Sequence, residues 1–287
     1  MLLTKSILMP LSSSGEVQER MLGALSVTAF FGAHLEVLHA QISPRQFIPV
    51  DAVARNMPQK LLHELEALAD KYSNTEASEL QAKFIKLCDE NDIVHSNESI
   101  SDRPTAFWRD VNGLRSELVG EYGKVSDLII LPHPRNGKPT ATFEAALMHS
   151  GKPVLLVPRA MTTFSAERVL IAWNASTEGS RAVTQAIPIL QQAKEVVIAT
   201  SQSSAQYKPG ADELIKYLQR HGIKAISKNF DTGRRSAGEA ILTLADSLKT
   251  DLLVMGAFTH TRVHEQIFGG VTWHMVQAAK IPIFMQH

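Results

Sequence analysis

Cysteine is nearly absent. Cys88 is the single one in 287 residues, so no disulfide can form within the chain. It sits at helical spacing among Leu80, Phe84 and Leu87, where a small apolar side chain packs, and it is read as packing rather than chemistry. Surplus charge is lacking too. Lysine and arginine number 29, and aspartate and glutamate also 29, which removes the long-range attraction that nucleic acid or an anionic membrane exploits. No apolar run reaches the roughly 18–20 residues of a bilayer span. Met1 to Pro10 carries Lys5 inside it and no cleavable apolar region, so a cytoplasmic protein with no membrane partner is expected.

Aromatic residues make up 6%, and Trp108, Trp173 and Trp273 are too scattered to form a base-stacking platform. They read as partly buried anchors. There is no Walker sequence, no Gly-x-Gly-x-x-Gly, no Gly-x-Ser-x-Gly elbow and no zinc-protease pair, and no residue stands out as a general base. His260 and His264 lie four apart, but no nearby Cys or Asp completes a ligand set, so no structural metal is expected.

What is present is the composition of a globular protein, 44% hydrophobic and 20% charged, at a length that suggests two domains. Short β-branched or Leu-rich runs alternate with segments of helical period, the pattern of a parallel sheet covered by helices. The first half gives runs at Ser6 to Met9, His34 to His39, Ile93 to Ser96, Asp127 to Leu131 and Pro153 to Val157. The second gives Arg168 to Ala172, Glu195 to Thr200, Lys224 to Ser227, Asp251 to Met255 and Ile281 to Met285.

The halves read as a repeat. Ile7-Leu8-Met9 matches Val169-Leu170-Ile171 at an offset of 162, and Asp127-Leu128-Ile129-Ile130 matches Asp251-Leu252-Leu253-Val254 at an offset of 124. The first copy therefore carries 38 extra residues, most of them expected between Gln41 and Ile93, where Gln59 to Asn91 has helical period. The aperiodic stretch from Pro158 to Ser165 supplies the boundary, giving domains 1–160 and 161–287. Ser12 to Gly15 reads as a cap for the helix from Glu16, Thr177 precedes the next copy's first helix, and Pro188 is expected to kink or interrupt it.

The informative stretch follows the fourth run of the second copy: Asp251-Leu-Leu-Val-Met-Gly256-Ala-Phe-Thr259-His260, then Gly269-Gly270-Val-Thr272 and a helix. Glycines admit close approach of backbone N–H groups to phosphate oxygens, and a following helix adds its positive end. This stretch, with the turn Ala172-Trp173-Asn174-Ala175-Ser176, resembles the universal stress protein family, whose signature here is Gly-x-x-Gly, nine residues, Gly-[Ser/Thr]. The resemblance implies two tandem doubly wound, five-stranded, parallel-sheet domains of Rossmann-like α/β fold.

It also implies an adenine nucleotide, ATP or another, with Mg²⁺ if a triphosphate, at Asn174, Gly256, Thr259, His260, Gly269, Gly270 and Thr272. The residue ending the first strand would meet ribose or base, and the glycine loop the phosphates. Asn174 stands where binding members usually have Asp, and Thr259 replaces the second glycine. The first copy has Pro132-His133-Pro134-Arg135-Asn136-Gly137-Lys138-Pro139 and a loop five residues shorter, and reads as a degenerate copy. Arg234-Arg235 lies near the same crevice.

The fifth strands, apolar and flat, would aggregate if left exposed, and family practice implies that they pair inside the chain as a pseudo-dimer; further assembly as a homodimer or other homo-oligomer stays open. Three functions remain at this stage: a stress-response protein that binds nucleotide without turnover, a nucleotide-free interaction module, and a slow ATP hydrolase.

Overall fold

The computed structural model describes residues 4–41, 59–100, 103–258 and 270–287. Its first unit runs β1 (Ser6–Leu11), α1 (Val17–Phe31), β2 (His34–Gln41), α2 (Gln59–Glu90), β3 (Val94–His95), β4 (Thr105–Asn112), α3 (Arg115–Tyr122), β5 (Leu128–Pro132), α4 (Ala141–His149) and β6 (Val154–Val157). The second runs β7 (Arg168–Ala172), α5 (Thr177–Leu190), β8 (Glu195–Ser201), α6 (Ala211–Arg220), β9 (Ile226–Phe230), α7 (Ala237–Ser247), β10 (Leu252–Gly256), α8 (Gly270–Ala278) and β11 (Ile283–Gln286).

All the strands join one sheet in the order β3-β4-β2-β1-β5-β6-β11-β10-β7-β8-β9. Pairing is parallel throughout except at the seam, where β6 and β11 run antiparallel with Leu155 opposite Phe284. The order β4-β2-β1-β5-β6 in the first unit matches β9-β8-β7-β10-β11 in the second, as a duplicated doubly wound unit requires.

Among the described residues the first unit has six strands, where five were expected. β4 is the true third strand, pairing along its whole length with β2, whereas the Ile93 to Ser96 run contributes only the two-residue edge strand β3. Part of the extra sequence is thus a strand as well as the helix α2. β9 lies a few residues later than expected, at Ile226–Phe230.

Strands buried on both faces read as near-continuous apolar runs, and β6 and β10 show why. In β6, Leu155 and Val157 face one apolar cluster while Val154 and Leu156 face the other. The first cluster takes residues from α1, α2, α5 and α6, including Met21, Phe84, Ala182 and Leu214. The second takes Leu118, Phe143, Ile241 and Met275 from α3, α4, α7 and α8. Each cluster crosses the seam without interruption. Cys88 is fully buried in the first, and burial pushes its thiol up to about 12, which leaves it unreactive. The segment between the units lies along α1: the Phe164 amide donates to Ser26 Oγ at 2.8 Å and its ring meets Phe30 edge-on.

The aspartate that marks the repeat does the same work twice. Asp127 Oδ2 accepts from the Lys5 and Ser6 amides at 2.8 and 2.9 Å, tying the start of β1 to β5. Asp251 Oδ2 accepts from the Arg168 amide at 2.9 Å, tying β7 to β10. Replacing Asp251 with alanine removes the acceptor of that solvent-exposed strand-end amide, and we expect a loss of about 0.5–1.5 kcal/mol, read as a lowered midpoint in urea; an unchanged midpoint would remove the structural meaning of the repeat. Pro188 does not stop α5, which continues to Leu190. It sits in the last turn, where little of the helix remains to be disturbed.

Candidate functional site

β7 and β10 are adjacent, with β8 beyond one and β11 beyond the other, so the strand order reverses between them. Ligand crevices form outside the carboxyl ends of strands at such a point, and a cavity of about 330 Å³ opens there. Three helices begin around it, each positioned by local sequence.

Asn174 follows β7 and is exposed; its Oδ1 accepts from the Ser176 amide at 3.2 Å, the side-chain-to-backbone turn that asparagine favours. Ala175 then takes φ +59°, an uncommon value for a residue with a Cβ. Ser176, one residue earlier than the Thr177 expected, caps α5 by accepting from the Gly179 amide at 3.0 Å. Trp173 is buried beneath this turn with its indole Nε1 donating to the Pro209 carbonyl at 2.9 Å. Behind it, between α5 and α6, lies a second cavity of about 210 Å³ lined by Trp173, Val183, Leu214 and Tyr217.

α7 brings its N-terminus to the cavity through a Ser-x-x-Glu box. The Glu239 amide donates to Ser236 Oγ at 3.2 Å and the Ser236 amide donates to Glu239 Oε2 at 2.9 Å. Ser236, Ala237 and Gly238 line the wall. α8 brings Gly270, Val271 and Thr272. Thr272 is only 3% exposed, and its Oγ1 accepts from the Phe258 amide at 3.3 Å. The hydroxyl expected to meet a ligand therefore also closes the β10 end onto α8.

The two described glycines of this stretch differ. A Cβ added at Gly256 would overlap the Gly179 amide nitrogen and the Glu178 backbone, so this glycine exists to let β10 pack against the first turn of α5. Among the described residues, a Cβ at Gly270 would meet nothing within 4 Å. Protein packing explains the first and leaves the second unexplained.

Asn174, Gly256, Gly270 and Thr272 thus line one cavity, while Thr259, His260 and Gly269 lie outside the described residues, as does His264. Arg234 and Arg235 are exposed just before α7 and do not line the cavity. Sequence reasoning missed Ser201, Ser204, Phe230 and Ser236. Ser236 carried a signal in its spacing to Glu239; the others are brought in only by sheet order. Ala199, Phe230, Ile241 and Met255 give an apolar floor, and Ser201 Oγ donates to Ser204 Oγ at 2.8 Å on one side.

Among the described lining residues none is ionisable. The first-turn amides of α7 at Ala237 and Gly238, which have no intrahelical acceptor, favour an anion, and α8 adds Gly270 and Val271 to the same wall. Among the described residues no three His, Cys, Asp or Glu side chains gather as a metal site, and no helix is long and apolar enough to cross a membrane.

The first unit braces α8. His133 Nδ1 lies 3.3 Å from the Val276 carbonyl, and burial pushes its pKa below the usual range, so a neutral ring donates there. Gly137, at φ +64°, packs on Gln277.

Comparison with known proteins agrees with this geometry. Residues 166–287 match the model of the universal stress protein family. A universal stress protein from Archaeoglobus fulgidus superposes with a TM-score of 0.68 at 16% identity, covering 98% of this chain and 97% of that one. A functionally unknown protein from Pseudomonas aeruginosa gives 0.53 at 16% identity, over 99% of this chain and 92% of that one. A second P. aeruginosa structure, described as a universal stress protein, also gives 0.53 at 16%, over 99% and 93%. No curated protein matches the sequence. The match to the universal stress protein family thus falls on residues 166–287, the part of the chain that carries the cavity.

Proposed function

We propose that the chain is a tandem universal stress protein of the cytoplasm, with domains 1–160 and 161–287, that binds an adenine nucleotide in the second domain and acts through binding rather than turnover. The observation that carries this reading is the cavity of about 330 Å³ flanked by the N-termini of α7 and α8 at the reversal of strand order. Its volume lies within the range of small-molecule sites, and its apolar floor with a few convergent polar groups is the composition such sites have. Phosphates would rest on the amides at Ala237, Gly238, Gly270 and Val271, and Asn174 would address ribose as donor and acceptor. The floor at Phe230 and Met255 suits a base. A triphosphate would bring Mg²⁺ as its counter-ion.

The β6–β11 seam supports reading the two domains as an internal pseudo-dimer.

Calorimetric titration of the full chain with ATP, ADP and AMP tests the proposal. Gly270→Val is the informative variant. No described atom lies within 4 Å of the added Cβ, so the melting temperature without ligand should not change, while nucleotide affinity should fall at least tenfold. No heat and no rise in melting temperature with any of the three nucleotides would leave the interaction module as the better reading. Phosphate release by the wild type that Gly270→Val abolishes would favour the slow hydrolase.

A further inference from the structure

The equivalent point of the first unit lies beyond the carboxyl ends of the adjacent strands β1 and β5, and it is built from arginine. Arg20, on α1 and only 5% exposed, donates from Nη2 to the Ser12 and Ser14 carbonyls, both at 2.7 Å, and from Nε to the Glu16 carbonyl at 3.2 Å. Arg159, just after β6, donates from Nε to the His133 carbonyl at 2.8 Å and from Nη1 to Glu16 Oε2 at 3.2 Å. Arg135 reaches the other Glu16 oxygen at 3.2 Å. Arg115, the first residue of α3, donates only from Nε, to Thr142 Oγ1 at 3.2 Å.

Arg20, Arg135 and Arg159 therefore gather about the Glu16 carboxylate, and Arg115 lies near Arg159 and Arg20. They sense one another. Burial brings Arg20 down to about 10, with repulsion from Arg159 and Arg115 adding to it, and burial with Arg159 also lowers Arg115. Glu16 is held below the usual carboxylate range by its own backbone amide and then by Arg135 and Arg159. Like charges gathered this closely are unfavourable unless a counter-charge joins them.

Two further features belong to the same place. Gly15 sits at φ +91°, and an added Cβ would overlap the Arg135 guanidinium, so the Ser-rich turn leaves space for that side chain. The N-termini of α1 and α3 carry no side-chain cap, and the serines expected to cap α1 instead give their carbonyls to Arg20. Of their first-turn amides, Val17 donates to the Gly15 carbonyl at 2.8 Å and Glu117 to the Leu114 carbonyl at 2.9 Å, which leaves those of Gln18, Glu19, Arg115 and Ser116 for an anion among the described residues.

We propose that this crevice of the first unit binds a phosphate-type oxyanion of two or more negative charges, gripped by Arg115, Arg135 and Arg159 while Arg20 fixes the turn. Arginine is suited to this because its planar fork meets two oxygens of such an anion at once. The mode is the opposite of the second unit, where main-chain amides and hydroxyls replace charged side chains. The two sites stand or fall separately.

The test is titration of the full chain with inorganic pyrophosphate at constant ionic strength set by chloride. The wild type should bind and should melt higher in pyrophosphate, with affinity falling steeply as salt rises. Arg115→Gln/Arg135→Gln should lose at least tenfold in affinity, and its melting temperature without ligand should stay level or rise, because like-charge repulsion is relieved. In the Gly270→Val background, which removes the amide-lined site of the second unit, the component of pyrophosphate binding that depends on Arg115 and Arg135 should persist. Titrating ATP into Gly270→Val separates free phosphates from a nucleotide's phosphates, since binding there that the arginine substitutions abolish assigns a nucleotide to this crevice. The proposal is overturned if neither pyrophosphate nor ATP binds above the chloride control. It is overturned equally if the arginine variant binds like the wild type, or melts well below it without ligand, which would make the arginines purely structural.

Discussion

Gly256→Ala is expected to lower stability by about 1–3 kcal/mol, far more than one added methyl usually does in a helix or strand. The new carbon has no free volume: it would overlap the Gly179 amide nitrogen and the backbone of Glu178, and backbone atoms cannot rotate aside as a side chain can. Either α5 lifts from β10 or the end of β10 bends away from the sheet. For a chain of this size the loss corresponds to a melting temperature lower by roughly 2–5 °C, measurable by calorimetry or circular dichroism. The contrast with Gly270 is the stronger test. Gly256 opens the signature and Gly270 stands at its Ser/Thr place, yet one should be sensitive without ligand and the other only with it. A Gly256→Ala protein that melts like the wild type would show that α5 does not press on β10 as described.

Trp173→Ala should cost more, about 3–5 kcal/mol for a buried indole with no neighbour able to fill the space. Trp173 is 5% exposed, it donates to the Pro209 carbonyl, and it stands between the cavities of about 330 and 210 Å³. Removing it merges the two and leaves the Pro209 carbonyl without its donor. Trp173→Phe keeps most of the packing and should lose nearer 1 kcal/mol, the value of the missing hydrogen bond. Midpoints in guanidinium for the three proteins give the order wild type, Phe, Ala; equal midpoints for Phe and Ala would mean that Pro209, not the ring, carries the effect.

Repeated strands and helices could be read in the chain because they are enforced locally. β1, β5, β7 and β10 are apolar on both faces, so periodicity finds them, and the aspartates at 127 and 251 mark the same corner twice. β4 escaped notice for the opposite reason. Its Arg109 pairs with Glu36 at 2.6 Å and its Asp110 with His39 at 2.7 Å, both on β2, so half of its polarity is satisfied across the sheet rather than by solvent. Viewed alone, Thr105 to Asn112 looks too polar for an interior strand. The short run at Ile93 to Ser96 looked better and is the sheet's edge.

Much of the candidate site could be named in advance, because Asn174, Gly256, Gly270 and Thr272 flank recognisable turns. Their division of labour could not be foreseen. The need for glycine at 256 comes from Gly179, on another helix. The arginine cluster assembles Arg20, Arg115, Arg135 and Arg159 from four separate segments around Glu16, and no window of sequence contains it.

The antiparallel meeting of β6 with β11 has an evolutionary corollary. A pair of identical subunits joined through this edge would be isologous, so each change in the edge strand, or in either crevice, would be made on both sides at once. Within a single polypeptide that restriction vanishes. Val154-Leu155-Leu156-Val157 faces Ile283-Phe284-Met285-Gln286, two strands that have diverged while keeping their fit. The same freedom lets one half keep an uncharged, amide-lined cavity while the other gathers arginine.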